Sequence, residues 1–137
     1  MKIVLDTNVL VAAFAARGLC ADLFSYCLLE HDIVLSQPIL KEVEQVLKNK
    51  IKLPPARTRE VITFLSTAAA IVRPIRLSQA ICRDPDDVWV LATAKAGQAK
   101  IIVSGDNDLL VLKKFESIAI LSPREFWNHF IEKGKKG

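Results

Sequence analysis

The chain has 137 residues, half of them apolar and only 5 of them glycine, which sizes it for one domain with a real core and excludes a disordered or low-complexity protein. Its net charge of +4 leans toward an anionic partner, but four of the lysines and arginines fall between Arg124 and Lys136, so the bias points only weakly to nucleic acid. Three cysteines without Cys-x-x-Cys spacing exclude a disulfide framework, and no uncharged run reaches the roughly 18 apolar residues of a membrane helix, so the expectation is a reduced, cytoplasmic protein that does not meet a membrane.

The first apolar run, residues 3–5, reads as a strand and ends abruptly on Asp6, followed by Thr7 and Asn8. A charge at the end of a core strand is either the N-cap of a helix starting near Asn8 or part of a site. Helical periodicity over 20–29 puts Cys20 and Cys27 on one face, with His31 in the loop beyond; a strand follows at 33–35. Ser36 is a candidate N-cap for a helix over 38–50, whose apolar stripe of Ile39, Leu40, Val43, Val46 and Leu47 is flanked on opposite sides by Glu42 and Glu44. "KLPPAR" at 52–57 is a rigid break before a helix at 58–69 and a strand at 70–72. Asp84 is placed to cap a helix over 85–96 that ends at Gly97; Asp87 in its first turn suits the helix dipole. A strand at 101–103 leads into "SGDNDLL", a turn by default. The last strand, 118–121, precedes Ser122 as N-cap of a helix over 123–133, on which His129 is a surface position. Trp89 and Trp127, on apolar-rich helices, read as core or interface residues. Residues 1–132 are thus one domain, and 133–137 a basic tail.

None of the strands alternates polar with apolar, as expected where both faces are covered. Strands alternating with helices predict a three-layer α/β domain with a mostly parallel central sheet flanked by helices. Ligands of such sheets bind beyond the carboxyl ends of the strands. Asp6 stands at that edge after the first strand, and Ser104, Asp106 and Asp108 stand there after the fourth. "RDPDD" opens the helix between. Capping and turn chemistry explain each cluster singly but not their sharing of one edge, where ionised carboxylates would repel. A divalent cation resolves that repulsion, and oxygen donors without paired cysteine or histidine suit Mg²⁺ or Mn²⁺ rather than zinc. Arg17, Arg83, Lys113 and Lys114 lie near the same loops as possible phosphate contacts, while no run interleaves aromatic and basic residues into a stacking platform for bases.

"VLDTNVLV", "LKEVEQVL", "DPDDVWVLATA" and "IVSGDNDLL" occur in the order found in PIN domains, and nearly the whole chain resembles this nuclease fold of VapC-type toxins from toxin-antitoxin systems. The resemblance implies an acidic site of Asp6, Glu42, Asp87 and Asp106, with Asp108 as a further metal ligand and Asn8 and Ser104 supporting the acids through hydrogen bonds. It favours Glu42 over Glu44, and Asp87 over Asp84 and Asp86. It also implies one or two Mg²⁺ or Mn²⁺ ions, hydrolysis of RNA by in-line attack leaving a 5′-phosphate, and an antitoxin partner; the apolar stretches DLFSYCLL and VITFLSTAAA offer surfaces for that antitoxin or a homodimer, or else are core-facing amphipathic helices. Ser104 and Leu109 stand where such toxins tend to carry threonine and an aromatic residue. Two other readings remain open: a catalytically silent RNA- or protein-binding module, and a phosphatase using Asp6 as nucleophile, a pattern that wants a second aspartate where this chain has Asn8.

Overall fold

Ile3, Val4 and Leu5 are fully buried, as a strand covered on both faces requires. The computed structural model describes residues 1–75, 77 and 85–132, with side chains from 87 onward in the last segment. Among these the chain runs β1 (Lys2–Leu5), α1 (Thr7–Ala15), α2 (Leu19–Glu30), β2 (Asp32–Leu35), α3 (Gln37–Asn49), α4 (Pro55–Ala68), β3 (Ala70–Ile71), α5 (Pro85–Ala96), β4 (Ile101–Val103), α6 (Asn107–Leu110), β5 (Lys114–Phe115), β6 (Ile118–Leu121) and α7 (Pro123–Phe126), followed by a π-helical turn over Trp127–Glu132. The described strands form one six-stranded sheet of order β3-β2-β1-β4-β6-β5, parallel except for the antiparallel β5-β6 pair.

The sheet order steps from β1 to β2 to β3 in one direction and places β4 on the other side of β1, so the right-handed rule for parallel crossovers assigns their helices to opposite faces. α5 accordingly packs across β1, β2 and β4, and its end comes so close to β2 that a Cβ at Gly97 would collide with Val34 Cγ1. The strand order reverses between β1 and β4, the position at which an open parallel sheet leaves a crevice at its carboxyl edge.

Several expectations need correction. The helix expected from residue 58 begins at Pro55, because proline's missing N–H and fixed φ suit the first helical turn. β3 is a two-residue exposed edge rather than a covered strand. The last helix changes to π geometry after Phe126, and the wider turn keeps Phe126 and Ile131, five residues apart, both buried. β5 lacked any glycine or asparagine turn signal; its connection to β6 uses Glu116 at φ 54° instead. Trp89 is not a core residue, being 47% exposed on the solvent side of α5. Cys20 and Cys27 are free thiols, and burial pushes Cys27 up to about 12. Cys82, Arg83, Asp84, the side chain of Asp86 and the tail 133–137 lie outside the described residues. Among those described, no single helix is long and apolar enough to cross a membrane.

Ser36 occupies the N-cap position of α3, yet its hydroxyl makes no capping bond. It lies 2.7 Å from Thr93 Oγ1 in the core, and Thr93 donates its single hydroxyl proton to the Trp89 carbonyl oxygen at 2.7 Å. Ser36 is therefore the donor to Thr93. This buried chain locks α3, which bears Glu42, to α5, which bears Asp87. Thr93→Val is expected to destabilise the protein by about 1–3 kcal/mol, because it strands the buried Ser36 hydroxyl. Adding Ser36→Ala should recover part of that loss, and denaturant midpoints of the two single variants and the double variant measure it.

Candidate metal centre

Of the two readings left open for Asp6, the capping one is met, and its burial and position bear on the other. It is the N-cap of α1, with its Oδ1 accepting the Thr7 N–H at 2.7 Å, and it is 4% exposed at the sheet's carboxyl edge. Its Oδ2 accepts the Ser104 hydroxyl at 2.6 Å and Asn8 Nδ2 at 3.2 Å. The Ser104 oxygen in turn accepts the Asp106 N–H at 2.9 Å, and Asn8 Oδ1 accepts the Gly105 N–H at 2.9 Å. The loops leaving β1 and β4 are thereby stitched together through two polar side chains. Gly105 suits this approach, since a Cβ there would sit 3.3 Å from Asn8 Oδ1. Asp106 caps α6, its Oδ1 accepting the Asp108 N–H at 2.9 Å.

α5 brings the third acid. Asp87, 5% exposed, joins Asp6 and Asp106 so that one ligand oxygen of each lies within 4.8 Å of the others. An octahedral Mg²⁺ with bonds of about 2.1 Å places its oxygens about 3–4 Å apart, so a small adjustment of these side chains would hold such an ion. The donors are all hard carboxylate oxygens, and among the described residues no histidine or cysteine joins them. Such a hard-oxygen set fits a divalent cation.

Burial holds the Asp6 carboxyl above the ordinary carboxylate range, and the neighbouring Asp106 charge adds to the rise. The bonds from Ser104, Thr7 and Asn8 pull in the other direction without cancelling it.

The three aspartates open into a cleft of about 710 Å³, also lined by Glu42, Asn8 and Thr7. The structure separates the two glutamates that flank the α3 stripe: Glu42 faces the cleft, whereas Glu44 is exposed and lines a different depression. Asp108 stands outside both the triad and the cleft lining, its described contribution being its backbone N–H to Asp106. Arg17 is exposed in the α1–α2 loop, and neither it nor Lys113 or Lys114 lines the cleft. Gln45, Asn49 and Lys50, which sequence reasoning passed over, do line it. Their signal was present, because residues 42, 45 and 49 recur on one helical face, but nothing in the sequence distinguished that face from solvent.

The sequence model of the PIN domain matches residues 2–108. A search of curated protein sequences finds no match. Among solved structures, the fold is similar to that of VapBC2 from Rickettsia felis bound to a DNA fragment from their promoter, with TM-score 0.60 and 14% identity over 89% of this chain and 98% of the other. It is also similar to FitAcB from Neisseria gonorrhoeae, with TM-score 0.58 and 16% identity over 89% and 98% of the two chains. A family match over most of the chain, joined to this sheet order and this acidic edge, shows that the chain belongs to the PIN domain family.

Proposed function

We propose that the protein is a divalent-metal-dependent endoribonuclease, the toxin partner of a toxin-antitoxin pair. The observation that carries the reading is the convergence of Asp6, Asp87 and Asp106 on one point at the carboxyl edge of the sheet. The likeness to VapBC2 and FitAcB supports an antitoxin as protein partner.

Asp6, Asp87 and Asp106 would hold the Mg²⁺ or Mn²⁺ ion, which supplies acidification of a bound water and neutralisation of charge on the cleaved phosphate. Thr7, Asn8 and Ser104 fix the rotamer of Asp6, and the Asp108 N–H fixes that of Asp106, so both acids are set before substrate arrives. Glu42, across the cleft on α3, is placed to orient the attacking water by hydrogen bonding or to contribute to a second cation. Lys50 gives the same cleft a cation for a flanking phosphate. The three hydrogen bonds onto Asp6 weigh against a phosphatase in which that carboxylate is the nucleophile, because they stabilise the charge that would have to attack.

Asp6→Asn should lower Mg²⁺- or Mn²⁺-dependent cleavage of end-labelled single-stranded RNA by about 100-fold or more, the scale of several kcal/mol of lost charge stabilisation. An Asp6→Asn protein that cleaves like the parent, or cleavage that survives EDTA, would overturn the reading. Ser104→Ala should weaken metal affinity or activity by about 10- to 100-fold, since it removes a bond to Asp6 and the acceptor of the Asp106 N–H together.

The raised Asp6 pKa sets opposite pH slopes for the metal-free and metal-loaded protein. In the metal-free fold, Asp6 holds its proton more tightly than an unfolded carboxylate of about 3.9. Its contribution to stability is therefore fully present below that value and is lost as pH rises through the folded pKa. Metal needs the ionised form, so affinity falls as pH drops through the same raised value. Thermal midpoints of parent and Asp6→Asn, each measured across pH with and without Mg²⁺, should show both slopes in the parent and neither contribution in the variant.

A further inference from the structure

Trp89 is the anomaly that the metal centre leaves unexplained. An indole is a large apolar surface that normally goes inside, yet this one, two residues beyond Asp87, is 47% exposed. It walls a depression of about 240 Å³ together with Pro38, Lys41, Thr7, Glu42 and Gln45. The last three also line the metal cleft, so the two depressions share a wall. α3 forms the floor of both. It carries Lys41 near its start and leads to Lys50 at its C-cap, about 14 Å along the axis at 1.5 Å per residue. Glu42 and the carboxylate triad face the groove between these two cations.

We infer that Trp89 is a stacking platform for a base of single-stranded RNA next to the scissile phosphate, with the strand laid along α3. The inference rests on the nuclease reading for its ligand class, but the platform itself rests on the indole, its exposure and its shared wall with the cleft. Aromatic faces bind unpaired bases with little sequence preference, and a cation beside the ring takes the phosphate. Lys41 supplies that cation. A base paired in a duplex has no free face to offer, so the platform selects single strands. A second copy of this chain is the rival occupant: Pro38, Leu40 and Ile62 share the indole's two depressions, but so do Lys41, Glu42 and Glu44, residue types that the core of such an interface lacks. Pattern reading along the chain misses this platform because its aromatic and basic members come from α5 and α3, not from one interleaved run.

The chain has two tryptophans, so Trp127→Phe leaves Trp89 as the sole indole and its fluorescence reports the site. A short mixed-sequence single-stranded RNA, titrated into Trp127→Phe carrying Asp106→Asn to stop cleavage, should quench this signal saturably, whereas the matching duplex should not. In the otherwise native protein, Trp89→Leu should weaken binding of the single strand by about 5- to 150-fold and raise KM more than it lowers kcat, while Trp89→Phe recovers most of the loss. Unchanged RNA binding in both Trp89 variants, with no quenching, would overturn the platform even if cleavage stands. A shift from dimer to monomer in Trp89→Leu without any effect on RNA would overturn it in favour of an interface between copies. Quenching by RNA that the parent never cleaves would keep the platform and remove the nuclease reading. Trp89→Phe guards the test against a leucine variant that fails to fold.

Discussion

The crowding of three carboxylates at one buried sheet edge is the constraint around which the rest of this molecule is arranged. Unit charges about 5 Å apart at an effective dielectric of about 20 repel by roughly 3 kcal/mol per pair, so three such pairs approach the whole net stability of a domain this size. The fold tolerates them by two routes visible in the geometry. Burial and the Asp106 charge raise the pKa of Asp6, while three donors onto its two oxygens stabilise its charged form and limit that rise. The other route is a cation, for which the oxygens are already close enough.

That arrangement also explains which parts of the fold are tied together. The β1 and β4 loops are joined through Ser104 and Asn8, each of which bonds both loops. The Asp6 N–H continues the ladder by donating to Val103 at 2.9 Å, so the carboxylate begins where sheet pairing ends. Asp87 and Glu42 arrive from helices instead, and the Ser36–Thr93 chain holds those helices to each other. Ser36 gives up its capping bond for this contact. A local rule yields where a tertiary one positions the site.

What could be read from the sequence was whatever depends on near neighbours. The unalternating runs at 3–5, 33–35 and 101–103 identify covered parallel strands, and an aspartate ending the first of them fixes the edge at which a ligand belongs. Glu42 against Glu44 was out of reach, since both flank the same stripe and only the packing of α3 on α1 decides which faces inward. Asp108 illustrates the converse: two residues from Asp106 it looks equivalent in sequence, yet α6 begins between them and Asp108 lies outside both the triad and the cleft lining. Which of the two readings of Trp89, core or interface, applied was equally out of reach, because apolar periodicity says that a helix has a buried face without saying which of its aromatic residues lies on it.

The same carboxylates that would hold the metal also bear on substrate binding, and the sign of their effect reverses with occupancy. On the proposed function a phosphodiester would sit beside them; ionised and metal-free, they meet it with negative charge, and Lys41 in α3 and Lys50 at its C-cap lie about 14 Å apart along the axis. With a dication in place the net charge of the triad falls from minus three to minus one, while the two lysines are unchanged. On the proposed function, metal and RNA therefore favour each other's binding, and linkage makes the favour equal in both directions. The buried, hydrogen-bonded placement of Asp6 strengthens the coupling, because a low-dielectric site screens neither the repulsion nor its relief.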